Sequence, residues 1–249
     1  MSVLVVRPGE QGKELGSLLE KVGIDAIHHP VVTILPGNEL PHLMTQLHRV
    51  DIVIAVSQHA VTFAQQYLTQ QYRIRHDVAH WPRQTRYFAI GKTTADTLHN
   101  VCTLPVQNPE QSDSEHLLEL DDLQNITGKK VLILRGNGGR ETLYQTLQER
   151  GACVHYLESY RREPLPFQSN VCIPLWQKRN VQSIVITSSQ QLHLFMSHIQ
   201  PAYQTWLLGR TLLVPSQRIQ ADAKALGFSH IINTRSAANS DLLAAIRNQ

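Results

Sequence analysis

The sequence predicts an α/β protein of two doubly wound parallel sheets with helices on both faces, and three observations support that fold class. The chain contains a second copy of itself. Leu4-Val5-Val6-Arg7, Leu15, Leu19, Gly23 and Pro36 recur as Leu132-Ile133-Leu134-Arg135, Leu143, Leu147, Gly151 and Pro164, each pair 128 positions apart. A period of that length is domain-sized and argues for two similar units with a cleft between them. Continuous apolar runs alternate with segments whose apolar residues fall at helical spacing, as for strands buried on both faces. Glycines and small polar residues gather where each strand run gives way to a helix, as in the connections of α/β units.

The first unit opens with a strand over 2–6 that ends at Arg7-Pro8-Gly9. A helix bearing Leu15, Leu18, Leu19 and Val22 follows, stopped by Gly23, and then a strand over 24–28. The second copy repeats this: a strand over 130–134, the turn Gly136-Asn137-Gly138-Gly139, a helix over 141–150 ended by Gly151, and a strand over 152–157. Each copy then enters an extended, proline-marked linker, 30–36 and 158–166. Beyond the linkers lie matching strand-and-serine modules, Ile52 to Val56 with Ser57-Gln58-His59 and Ile184-Val185-Ile186 with Ser188-Ser189-Gln190. The strands align at an offset of 132 and the serines Ser57 and Ser188 at 131. Next come Phe88 to Thr94 with a helix to Asn100, and Leu212 to Gln217 with a helix to Leu226 and a stop at Gly227. Capped helices over 114–120 and 240–246 close the copies. Open parallel sheets bind ligands at the carboxyl ends of their strands, and those ends carry Arg7, Ser57, Gly91, Arg135, Ser188 and Ser216.

Bulk properties exclude several function classes. With 249 residues and 42% hydrophobic content the chain can fill two cores. Its 23 basic and 20 acidic residues are well mixed, with no basic run interleaved with aromatics, so no nucleic-acid partner is expected. The apolar start Ser2 to Val6 is cut off by Arg7-Pro8, too short for a signal core or a membrane span, and a cytoplasmic protein is expected. Three widely separated cysteines, Cys102, Cys153 and Cys172, form neither a disulfide framework nor a Cys-x-x-Cys motif and read as reduced structural thiols. Thirteen histidines include no His-Glu-x-x-His pattern, and no metal site is expected.

The turn Arg135-Gly136-Asn137-Gly138-Gly139-Arg140-Glu141 offers bare amides at a helix start, a setting that attracts anions. It has Glu141 where a dinucleotide fingerprint has its third glycine, and a purely structural tight turn is a stronger reading than a nucleotide site. Ser57-Gln58-His59, Gly91-Lys92-Thr93-Thr94, Ser188-Ser189-Gln190 and Ser216-Gln217 serve as helix caps, and several capped helix starts together would also hold a multi-carboxylate ligand. Arg161-Arg162 reads as a solvated charge pair, whereas Tyr160 on a linker reads equally as a phenol O–H donor to a leaving group or as a hydrogen-bonded structural tyrosine.

In order and nearly end to end, these motifs resemble the uroporphyrinogen-III synthase family of tetrapyrrole biosynthesis, its bacterial members closely. The resemblance rests on Leu4 to Pro8, Ala55 to Val61, Phe88 to Thr94, Leu132 to Glu141 and Glu158-Ser159-Tyr160. It implies two flavodoxin-like domains that exchange segments, one of residues 1–34 and 168–249, the other of 37–164, joined by a two-stranded, hinged linker. The repeat alone would instead divide the chain into halves. The implied reaction closes hydroxymethylbilane with loss of water and inversion of the terminal pyrrole, giving uroporphyrinogen III. No cofactor is implied. The protein is expected as a monomer, with transient contact to hydroxymethylbilane synthase as a further expectation. The resemblance assigns Tyr160 to hydroxyl loss and the Ser57 and Thr93-Thr94 turns to the cleft wall. Pro215-Ser216-Gln217 departs from the Ile-Gly-x-Thr-Thr form kept at Ile90 to Thr94. The alternative is a non-catalytic two-domain binder of a small molecule or nucleotide on the Gly136 to Gly139 turn.

Overall fold

A computed structural model describes residues 1–75 and 81–248. In chain order it begins with β1 (Ser2–Val5), α1 (Gly9–Lys21), β2 (Asp25–His28), β3 (Val32–Pro36), α2 (Leu43–Leu47), β4 (Ile52–Ala55), α3 (Gln58–Arg75) and β5 (Arg86–Ala89). It continues with α4 (Lys92–Cys102), β6 (Val106–Gln107), α5 (Ser114–Leu118), β7 (Lys130–Gly136), α6 (Thr142–Glu149) and β8 (Cys153–Pro164). The last part holds α7 (Ser169–Lys178), β9 (Val181–Val185), α8 (Ser189–Ser197), α9 (Pro201–Leu208), β10 (Thr211–Val214), α10 (Gln217–Ala225), β11 (Ile231–Asn233) and α11 (Asn239–Arg247). The chain divides into two compact units, Met1–Ile34 with Glu163–Gln249, and Leu35–Arg162.

The first unit is a five-stranded sheet in the order β11-β10-β9-β1-β2, its neighbouring strands parallel. Counted within the unit this is the flavodoxin-like order 2-1-3-4-5. Alternation along β1 divides the core between two faces. Val3 and Val5 pack with Leu15 and Leu19 of α1 and Leu242 and Ile246 of α11, while Leu4 joins Phe195, Trp176 and Ile219 on the other side. The second unit has the order β3-β8-β7-β4-β5-β6. Here β7 and β8 occupy the places of β1 and β2, and β4, β5 and β6 those of β9, β10 and β11. Each sheet thus combines the front of one repeat with the back of the other, which is the segment exchange that the repeat alone does not reveal.

Sheet register settles the equivalence between the repeats. Ile54 pairs with Ile133 and Val185 with Val5, and Val5 and Ile133 are themselves 128 apart. Ile54 and Val185 are therefore equivalent at an offset of 131, the offset of Ser57 and Ser188, and the alignment of the strands at 132 is a one-residue slip. Such a slip would turn every side chain to the wrong face.

Other differences have local causes. The segment expected as a strand followed by a linker is one twelve-residue strand, β8. Asp113, not Ser114, caps α5 by accepting the amide of His116, because its side chain sits one residue before the helix. Helix α11 starts at Asn239 with Ala238 at its N-cap and no side-chain cap. The short helices α2, α7 and α9 were not anticipated; α7 carries Pro174 inside it and α9 begins at Pro201. Cys102 is buried and Cys172 is half-buried against the first unit's core, as suits structural thiols, whereas Cys153 is exposed, and none of the three forms a disulfide.

Leu19 and Leu147, equivalent in the repeat, are each fully buried in a different unit. Leu19→Ala and Leu147→Ala should each cost about 2–5 kcal/mol, seen as a lower urea midpoint by circular dichroism. A loss below about 1 kcal/mol, the usual size for a surface change, would contradict the core assignment.

Candidate active site

The centre of the second unit's strand ends is a tyrosine placed by an irregularity in β8. Along β7 and β8 the pairing runs from Lys130 and Cys153 to Arg135 and Glu158, then shifts so that Gly136 faces Tyr160. Ser159 is the extra residue. Register shifts of this kind re-aim a side chain. Ser159 is fully buried, and its carbonyl accepts the amide of Gly37 at 3.0 Å. A Cβ on Gly37 would overlap the Glu158 carbonyl, so only glycine lets the chain pass there. On the other side Gly136 lies flat against the Tyr160 ring, where an added Cβ would stand 2.5 Å from Cζ.

Two donors converge on the phenol oxygen. Ser57 Oγ donates at 3.2 Å and Arg162 Nη2 at 3.0 Å. Ser57 Oγ in turn accepts the amide of Ala60 at 3.2 Å, the N-cap bond of α3. Arg162 is held through its peptide: the Asn137 side chain accepts its N–H at 2.7 Å and donates to its carbonyl at 3.1 Å. The Tyr160 ring stacks on Phe63 with centroids 6.4 Å apart and meets His59 at 5.6 Å. Desolvation, reinforced by the Arg162 charge, holds the His59 imidazole below the usual histidine pKa. No third partner for the phenol oxygen lies among the described residues.

Of the sequence candidates, Ser57, His59, Gly136, Asn137 and Tyr160 therefore come together. Gln58 opens α3 beside them. Gly91 is the N-cap of α4 and packs so closely on Ser112 that a Cβ would collide with its Oγ. Lys92 reaches Asp96 at 3.7 Å, Thr93 is exposed, and Thr94 is buried. Arg135 is spent internally. It pairs with Glu141 at 3.0 Å and lies 4.1 Å over the Tyr156 ring. Hydrogen bonds from Tyr156 and Arg135 hold the Glu141 carboxyl below its ordinary range. Gly138 and Gly139, at φ of +82° and +131°, turn the loop back in conformations that favour glycine. With Arg135, Arg140, Ser112 and Tyr156 they line a cavity of about 210 Å³.

The first unit gathers its own candidates at its strand ends. Arg7 is buried, donating to Asn239 Oδ1 at 2.8 Å and to the Ala237 carbonyl and Gln11, so it ties the loop before α11 to β1. Ser188 caps α8 by accepting from Gln191, and Ser216 caps α10 by accepting from Ile219. The Ser189 hydroxyl is buried with no partner among the described residues, while Gln190 and Gln217 are exposed. No group of three or more His, Cys, Asp or Glu able to hold a metal occurs among the described residues.

Sequence reasoning missed Arg162, Phe63 and Gly37. Arg162 alternates with Tyr160 along a strand, and that adjacency was the available signal; its contact with Ser57's partner required the fold. Gly136→Ala should force the Tyr160 ring off its platform, costing about 1–3 kcal/mol as overpacking does. Near-ultraviolet circular dichroism should change as well, and an unchanged spectrum at wild-type stability would contradict the close approach.

A family model described as uroporphyrinogen-III synthase HemD matches residues 13–244. Among curated relatives, uroporphyrinogen-III synthase of Escherichia coli (strain K12) is 43% identical over 252 residues, covering 99% of this chain and 100% of that protein. The enzyme of Salmonella typhimurium is 40% identical at the same coverage. Among solved structures, a mutant uroporphyrinogen III synthase from Thermus thermophilus superposes with a TM-score of 0.67 at 18% identity, covering 99% of this chain and 98% of that one. Uroporphyrinogen-III synthetase from Helicobacter pylori 26695 gives 0.59 at 13% identity, covering 100% and 99%. These structures share the fold, and the full-length identity to the two curated enzymes, with the family match, shows that the chain belongs to the uroporphyrinogen-III synthase family.

Proposed function

We propose that this chain closes hydroxymethylbilane to uroporphyrinogen III, with Tyr160 assisting loss of the hydroxyl. The observation that carries the reading is the phenol oxygen, on which the Ser57 hydroxyl and the Arg162 guanidinium converge at 3.2 and 3.0 Å. As the pyrrole nitrogen pushes its electron pair toward the terminal carbon, the carbon–oxygen bond breaks. The hydroxyl takes the Tyr160 proton and leaves as water. Closure through the spiro intermediate and re-aromatisation then release a proton that restores the phenol. Electron-rich pyrrole supplies most of the driving force, so the protein's larger task is to hold the chain with its terminal ring inverted and to keep water away.

Tyr160 is only 2% exposed, and the two side chains over its ring, His59 and Arg162, are themselves exposed. Substrate reaches the phenol past His59, which makes no hydrogen bond to it. The cavity of about 210 Å³ beside Gly138 and Gly139 has room for a carboxylate arm of the substrate. Of the glycine turn that the nucleotide-binding alternative draws on, Gly136 is covered by the Tyr160 ring. No helix among the described residues is long and apolar enough to cross a membrane. We place the protein in the cytoplasm, working as a monomer, with hydroxymethylbilane synthase as a transient partner.

Two outcomes test this. With hydroxymethylbilane generated in situ, the protein alone, dialysed against chelator, should shift the oxidised product from type I to type III porphyrin; an unchanged isomer ratio would refute it. Tyr160→Phe removes the donor and keeps the ring, and should lower kcat roughly ten- to a hundred-fold with isomer III still the product. Wild-type turnover in a folded Phe variant would leave positioning as the whole mechanism.

A further inference from the structure

We propose that Arg162 is a positioning residue for the reaction: its guanidinium fixes the direction of the Tyr160 proton and faces the phenolate oxygen that forms when that proton leaves. The inference rests on the reading of Tyr160 as the proton donor.

A guanidinium has only donors, so the 3.0 Å contact from Nη2 must fill one acceptor position of the phenol oxygen whatever the protonation state around it. Ser57 Oγ, which accepts from Ala60 through one lone pair, reaches the same oxygen at 3.2 Å. With Ser57 donating into the second acceptor position, the phenol proton is turned away from both partners toward a ligand. When the proton departs, the same Nη2 sits at hydrogen-bond distance from an oxygen carrying full negative charge. With both partners ionised, the bond is stronger than the guanidinium's bond to the neutral phenol, so the contact favours the transfer step more than the resting state.

Arg162 is built into this position. Asn137 closes two hydrogen bonds on its peptide, at 2.7 and 3.1 Å, as a neighbouring strand would. Its Cζ lies 5.3 Å from the Tyr160 ring centroid. The glycine-rich turn therefore supplies both halves of the arrangement, Gly136 beneath the ring and Asn137 on the arginine. The His59 imidazole, 5.6 Å from the Tyr160 ring centroid, is held low by desolvation and by the Arg162 charge.

The test is a double-mutant cycle of Tyr160→Phe, Arg162→Gln and the pair, with Arg162→Lys as the conservative variant, all in the coupled isomer assay. Arg162→Gln should lower kcat roughly ten-fold with KM little changed, and Arg162→Lys should recover part of the loss. In the Phe background the Gln substitution should have no further effect, because the oxygen it serves is gone. The His59 proton resonance should titrate at higher pH in Arg162→Gln, as expected when the charge is removed from beside the ring. An equal loss in both backgrounds, or a rise in KM alone, would overturn the proposal and make Arg162 a binder of substrate carboxylates. Wild-type turnover in Tyr160→Phe would instead remove the donor reading, and this inference with it. A His59 titration unmoved by Arg162→Gln would place the guanidinium elsewhere.

Discussion

At the end of β7 the backbone of Gly136 lies against the face of Tyr160, and the rest of the site follows from that approach. Any side chain there would occupy the ring's volume. The approach exists because β8 gains one residue against β7 at Ser159, which brings Tyr160 rather than Ser159 opposite Gly136. Gly37 secures the extra residue from the opposite edge by taking the Ser159 carbonyl. A twelve-residue strand thus carries a phenol at a fixed height above the sheet, and α3 brings Ser57 to it through the hydroxyl that starts the helix. Preorganised donors of this kind need no rearrangement when charge develops, which is the condition under which hydrogen bonds contribute most to a reaction.

The exchange of segments gives the same strand order in both units from different parts of the chain. Strands β1 and β7 are interior, flanked by β2 and β8 on one side and by β9 and β4 on the other. Arg7 and Arg135, the repeated arginines at the ends of those interior strands, are both buried and both committed to protein partners. Their repetition reflects a shared architectural task, tying the strand end to the segment around the next helix. The catalytic proposal draws instead on Tyr160 and Arg162, for which the repeat supplies no partner of the same kind: 128 positions earlier stand Val32 and Ile34.

Much of this was legible in the sequence. Continuous apolar strands and helical spacing pointed to the parallel sheets, and the 128-residue repeat to two units. The apolar pattern of β4 and β9 left their alignment one residue out, because a strand buried on both faces reads the same when slipped by one position. Ser57, Ser188 and Ser216 were recognisable as helix caps from their place before polar helix starts, and the structure pairs each with a backbone amide. The turn at Gly136 was legible as special for glycine, with anion binding and a structural turn both open as the reason. An anion approaching bare amides and an aromatic ring packed on a backbone both exclude a side chain, and only the fold distinguishes them. Arg162 looked like one of many solvated arginines because its significance lies in Ser57, 105 residues away, sharing the same phenol oxygen. No periodicity records such a meeting.

The central claim is that the phenol oxygen of Tyr160 is filled on its acceptor side by the protein and presents its proton outward. Neutron diffraction from deuterium-exchanged crystals tests this directly, since it locates the hydroxyl deuterons of Tyr160 and Ser57. The account predicts the Ser57 deuteron on the line to Tyr160 Oη, a guanidinium deuteron of Arg162 on the same oxygen, and the Tyr160 deuteron directed away from both. A Tyr160 deuteron lying on the line to Ser57 Oγ would contradict it, because the phenol would then spend its proton inside the protein.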